Sequence, residues 1–89
     1  MEPITLITTA LTLATPYLLK TGESIAERIG EDIWKSLKKP FIKENKTLFE
    51  LNINNQEEKE KLIQILLEEV TNNDKYKQDL EIAVDKGQN

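Results

Sequence analysis

The sequence predicts an all-α fold: a small four-helix bundle with a hydrophobic N-terminal helix. Three observations predict it. Apolar residues recur at spacings of three and four in four separate segments. Turn-forming residues divide those segments: Thr21-Gly22, Pro40, Asn54-Asn55 and Asn72-Asn73-Asp74. The chain has 89 residues, which bounds it to one small domain. The expected domain covers residues 1–85, with helices over 1–19, 23–39, 57–71 and 75–85 and a polar tail over 86–89.

The first helix reads PITLITTALTLATPYLL from Pro3 to Leu19. Pro3 suits a first turn, where its missing N–H costs nothing, and Glu2 complements the helix N-terminus. Ile4, Ile7, Leu11, Ala14 and Leu18 form one stripe, and Leu6, Ala10, Leu13 and Tyr17 form a second beside it. At about 100° per residue the two fill about half of the circumference. Pro16 removes one backbone hydrogen bond and is expected to kink the last turn.

The opposite face is Thr5, Thr8, Thr9, Thr12, Thr15, Pro16 and Leu19. A surface helix normally carries Lys, Glu or Arg there. A helical Thr can return its hydroxyl to the carbonyl three or four residues earlier, so it tolerates water or an apolar medium. Two readings follow: a core helix buried nearly all round, or a segment able to leave the bundle for lipid. They are compatible if the protein has two states. Residues 3–19 extend roughly 25 Å as a helix against about 30 Å of bilayer hydrocarbon, the short edge of the spanning range. A secretory signal is a poor fit, because Glu2 stands where a basic region belongs and no clear cleavage site follows.

Ser24-Ile25-Ala26-Glu27 has the pattern of a capping box and opens the second helix. Ile25, Ile29, Ile33 and Leu37 run at i+4, with Ala26, Gly30 and Trp34 beside them. Gly30 points to close helix packing, and Trp34 to a core anchor, with a membrane-interface role as the other reading. Pro40 ends this helix near Lys39. From Lys35 to Lys46 the chain carries five lysines, Lys35, Lys38, Lys39, Lys43 and Lys46, with Glu44 the only acid among them. They read either as a solvated helix end or as a docking patch for anionic lipid headgroups.

The segment TLFELNI (47–53) fits a strand or a short helix. Asn52, Asn54 and Asn55 mark a loop and a cap. The third helix places Leu62, Leu66 and Val70 on one stripe, with Ile63 and Leu67 next to it and Glu57, Glu58 and Glu60 at its positive end. The fourth turns Tyr76, Leu80, Ala83 and Val84 inward.

Composition excludes whole classes of function. There is no Cys and no His, so disulfides, the usual zinc sites and thiol or imidazole catalysis are absent. No glycine-rich phosphate loop is present. The acidic pairs Glu31/Asp32, Glu57/Glu58 and Glu68/Glu69 splay about 100° apart on a helix and do not form a general acid–base pair. The chain is read as neither an enzyme nor a cofactor protein. Its net charge is -4: residues 1–46 carry +1 and residues 47–89 carry -5. That balance disfavours nucleic acid as a partner.

The opening MEPITLITTALTLA resembles the start of HeLo-like domains of fungal cell-death proteins. The continuation ATPYLLKTGESIAERIGEDIWKSLKKPF, with LFELNINNQEEKEKLIQILLEEV after it, resembles their bacterial and archaeal counterpart, the Bell domain. The resemblance spans nearly the whole chain and rests on composition and position. It implies a bundle whose N-terminal helix enters membranes and kills the cell. It further implies an NLR-like receptor that clusters such domains through an amyloid motif, which would lie outside this chain. Glu2 matches the acidic leading position, and Ile4 to Leu19 match the membrane-active helix. The five threonines stand where many fungal members have a glycine-rich zipper.

The expected function is a membrane-targeting, pore-forming cell-death effector domain of a prokaryotic immune system, activated by oligomerisation. It would be cytoplasmic at rest and at the cell membrane once active, with anionic lipid and its own copies as partners. The expected insertion residues are Glu2, Ile4, Leu6, Ile7, Ala10, Leu11, Leu13, Ala14, Leu18 and Leu19, and the five lysines are the expected lipid-docking residues. The alternative is a helical adaptor that binds a protein partner and never touches lipid.

Overall fold

The structure, a computed structural model, describes residues 1–41 and 55–88. These form an all-α bundle of four helices: α1 (Pro3–Leu19), α2 (Ser24–Lys38), α3 (Gln56–Asn72) and α4 (Asp74–Gln88), with a 3₁₀ turn over Lys39–Phe41. No strand occurs among the described residues. The ambiguous 47–53 segment, with Lys43, Lys46, Asn52 and Asn54, lies outside them.

Helix α1 runs through Pro16 and ends where Lys20 enters the left-handed region at φ 52° and its N–H meets the Pro16 carbonyl. A four-residue turn then reverses the chain. Gly22 sits at φ 89°, a conformation that favours glycine, and its N–H donates to Glu27 Oε2 at 2.8 Å. This corrects the expected capping box. Glu23 is the N-cap residue without a side-chain cap, Ser24 is already helical, and Glu27 reaches back past it to Gly22.

The hairpin of α1 and α2 is tightly closed. A Cβ placed on Gly30 meets Tyr17 Cβ at 2.8 Å and the Leu13 carbonyl oxygen at 2.9 Å. Only a residue without a side chain lets the two backbones come so near. Gly30 therefore bears out the expected close packing, and its position fixes α2 antiparallel to α1.

Asn55 Oδ1 accepts from the Glu57 N–H at 3.0 Å and the Glu58 N–H at 3.3 Å, capping α3. Asn73 links α3 to α4: its backbone N–H donates to the Glu69 carbonyl, and its Oδ1 accepts from the Tyr76 N–H. Helix α4 then runs antiparallel to α2, with Gly87 against Ile29 and Leu13. The helix runs through Gln88, so most of the expected 86–89 tail is helical.

The core draws on every helix: Leu6, Ile7 and Leu11; Ile33, Trp34 and Leu37; Leu62, Leu66 and Val70; Tyr76, Leu80 and Val84. Phe41 meets Tyr76 edge to face with ring centroids 6.4 Å apart. The Tyr76 hydroxyl donates to the Leu37 carbonyl at 2.9 Å, satisfying a group at the end of α2. Trp34 is the buried anchor the sequence predicts. Ile25 is not in the core: it is 79% exposed. Four helical residues advance about 400°, so a strict i+4 row drifts about 40° per step. Ile33 and Leu37 stay buried, Ile29 is half-buried, and Ile25 has rotated out.

Candidate functional site: the uncharged helix α1 and the lysines at the end of α2

Helix α1 contacts all three other helices and is the centre of the bundle. Of the ten residues expected to enter lipid, Leu6, Ile7, Ala10, Leu11 and Ala14 are fully or almost fully buried. Leu13 and Leu18 are half-buried, and Glu2, Ile4 and Leu19 are exposed. The apolar stripes thus supply much of the core. Their spacing suits either role, because a protein interior and a bilayer select the same side chains.

The outward face of α1 is the unusual part. Thr5, Thr8, Thr12 and Leu19 are exposed, with Thr9 and Thr15 at its margins. No side chain from Pro3 to Leu19 is ionised, so this solvent-facing surface is uncharged along its length. Its hydroxyls are largely turned inward. Thr8 donates to the Ile4 carbonyl at 2.9 Å, Thr12 to Thr8 at 2.8 Å and Thr15 to Leu11 at 2.7 Å. Each keeps its hydroxyl bonded to its own helix backbone. Thr5 and Thr9 donate no such bond to the helix backbone among the described residues. These threonines are missing from the set of expected insertion residues. The signal for them was present, in the absence of charge opposite the apolar stripe.

The lysines are only partly brought together. Lys35, Lys38 and Lys39 lie at the end of α2, which the antiparallel hairpin places where α1 begins. Lys35 is already engaged: its Nζ lies 3.1 Å from Glu31 Oε1, and this hydrogen bond and charge hold its pKa above the ordinary lysine value. Lys38 is half-buried and Lys39 exposed. Lys39 instead shares a shallow depression with Lys75 of α4, lined also by Pro40, Asn73, Tyr76 and Asp79. Lys75 lies 36 positions on in the sequence, so only the fold makes it a neighbour. Asp79 partly offsets the pair.

Among the described residues there is no cluster of metal-ligating side chains, and no helix is long and apolar enough to cross a membrane. Every buried side-chain polar atom among them has a partner. No family model, curated protein or solved structure matches this chain.

Proposed function

We propose that the protein is a membrane-targeting, pore-forming cell-death effector domain of a prokaryotic immune system, activated when copies cluster and α1 meets lipid. One observation carries this reading: α1 has no ionised side chain on either face, and Thr8, Thr12 and Thr15 bond their hydroxyls within the helix. A helix in hydrocarbon must satisfy its polar groups internally. This outward face meets that demand far better than an ordinary charged surface does. The lysines at the same end supply attraction to anionic headgroups, worth about 1 kcal/mol each near the surface. An NLR-like receptor acting through an amyloid motif outside this chain supplies the clustering. The domain rests in the cytoplasm and acts at the cell membrane.

The test is dye release from vesicles containing anionic lipid, with the protein fused to a tetramerising coiled coil. The clustered wild type releases dye. Thr8→Lys/Thr12→Lys puts charge on the exposed face without touching the core, so the variant stays folded and loses release. Equal release from a folded double variant would refute the reading. One observation favours the adaptor alternative: no described helix is long and apolar enough to span a bilayer. The adaptor predicts a soluble protein partner and no dye release in any clustered state.

A further inference from the structure

The groove between α2 and α4 carries exposed apolar surface that the bundle does not use. Its exposed apolar side chain is Ile82 on the α4 side, 54% exposed, beside half-buried Ile29 and Ala83 and above the fully buried Ile33. Charges of both signs flank it. Asp79 and Lys86 lie on the α4 side and Asp32 on the α2 side. Neither Asp79 nor Lys86 has a hydrogen bond or ion pair within the described residues.

The order of these residues along α4 is self-complementary. The segment reads Asp79-Leu80-Glu81-Ile82-Ala83-Val84-Asp85-Lys86. Leu80 and Val84 point into the core. Asp79, Ile82, Ala83 and Lys86 recur at the spacings that share one helix face. The acid and the base sit three residues either side of the Ile82-Ala83 centre. Turning a second α4 antiparallel about that centre sets Asp79 of one copy opposite Lys86 of the other, and the reverse. Ile82 of each copy then meets its counterpart between the two ion pairs. Asp79 and Lys86 are about 10 Å apart along the helix axis, which leaves room for the apolar contact between them. Lys75, one turn before Asp79, lies outside this overlap.

We infer that the α2–α4 groove is a twofold contact between copies of this chain, sealed by Ile82 and aligned by reciprocal Asp79–Lys86 pairs. A twofold interface presents the same patch from both sides, so it must be complementary to itself. The sign pattern on α4 meets that requirement, which a groove of one sign does not. The contact stands on α4 alone; as the surface that brings copies together before lipid contact, it rests on the function proposed above.

Sedimentation equilibrium of the full chain tests it. Wild type approaches twice its 10.3 kDa monomer mass at high concentration. Asp79→Lys makes the α4 face wholly basic and Lys86→Asp makes it wholly acidic. Each alone is expected to weaken self-association more than about tenfold through like-charge contact. Mixed one to one, the two variants pair with each other, because each supplies what the other lacks. Ile82→Asp abolishes association in every background. All three positions lie at the surface or its margin, and far-ultraviolet circular dichroism confirms that each variant is folded. The inference is overturned if wild type stays monomeric to about 1 mM, if either single variant associates like wild type, or if mixing restores nothing. A monomer that instead takes up an added basic amphipathic helix overturns it too. Vesicle leakage separates the two proposals. A charge-dependent dimer that never leaks vesicles refutes the membrane function and keeps the contact. Leakage indifferent to these substitutions refutes their part in clustering and keeps the function.

Discussion

At the scale of single residues, two contacts should dominate the response to mutation. Gly30→Ala gains about 1 kcal/mol of helix propensity. It also drives a methyl group to 2.8 Å from Tyr17 Cβ and 2.9 Å from the Leu13 oxygen. A backbone oxygen yields only if α1 moves, and overpacking of this kind costs about 1–3 kcal/mol. Net destabilisation is expected and is read from the urea midpoint. Tyr76→Phe removes the bond to the Leu37 carbonyl and should cost about 1 kcal/mol near neutral pH. Burial, with the Glu69 charge adding to it, pushes the Tyr76 phenol well above its ordinary value. The folded state therefore holds that proton more tightly than the unfolded chain, whose tyrosines titrate near about 10. The stabilisation is complete below that pH and is lost as pH rises above it. The stability gap between wild type and Tyr76→Phe should narrow from about pH 10 upward, which urea titrations at pH 8 to 11 measure. Of these two contacts, the sequence reveals Gly30, because glycine inside an amphipathic helix is costly without a packing reason. The Tyr76 bond joins residues 39 apart, and nothing local marks its partner.

At the scale of elements, asparagine side chains cap the starts of α3 and α4, while α1 and α2 begin without a side-chain cap. Asn55 alone satisfies two free N–H groups at the start of α3. Asn55→Ala should cost about 1 kcal/mol, read as a lower melting temperature with helix content preserved. All four helices are legible in the sequence, since each repeats apolar residues at helical spacing over two turns or more. Their ends are less so. The polar run Lys86 to Gln88 reads as a tail, yet it is helical, with Gly87 against Leu13 and Ile29. Ile25 reads as core, but an i+4 row turns away from the core as it lengthens. The candidate site shows the same division. Its uncharged helix is legible because missing charge is a local property. The meeting of Lys39 with Lys75 is not, because it depends on how α4 returns along α2.

For the whole molecule, the central place of α1 decides which experiments can separate folding from function. At roughly 0.05–0.15 kcal/mol per residue, a domain of this size is stable by about 4–13 kcal/mol. Leu6, Ile7 and Leu11 are buried almost completely. At about 1.5–3 kcal/mol each they contribute about 5–9 kcal/mol, comparable to the whole. The fragment 20–89 is therefore expected to be largely unfolded by circular dichroism. Leu11→Lys, which buries an unpaired charge, is expected to unfold the chain as well. Loss of toxicity in either would say nothing about lipid. The same arithmetic bears on activation. Under the proposed membrane function, release of α1 would cost the core most of this stability, and clustering and lipid contact would have to offset that loss. Substitution at Thr8 and Thr12 avoids the confusion, since both side chains point outward. Thr8→Lys/Thr12→Lys should melt within a few degrees of wild type, corresponding to less than about 1 kcal/mol. Growth assays with a membrane-permeability dye then compare a folded charged face with a folded uncharged one. Cell death by clustered wild type, together with survival under the folded double variant, is the outcome the membrane mechanism requires.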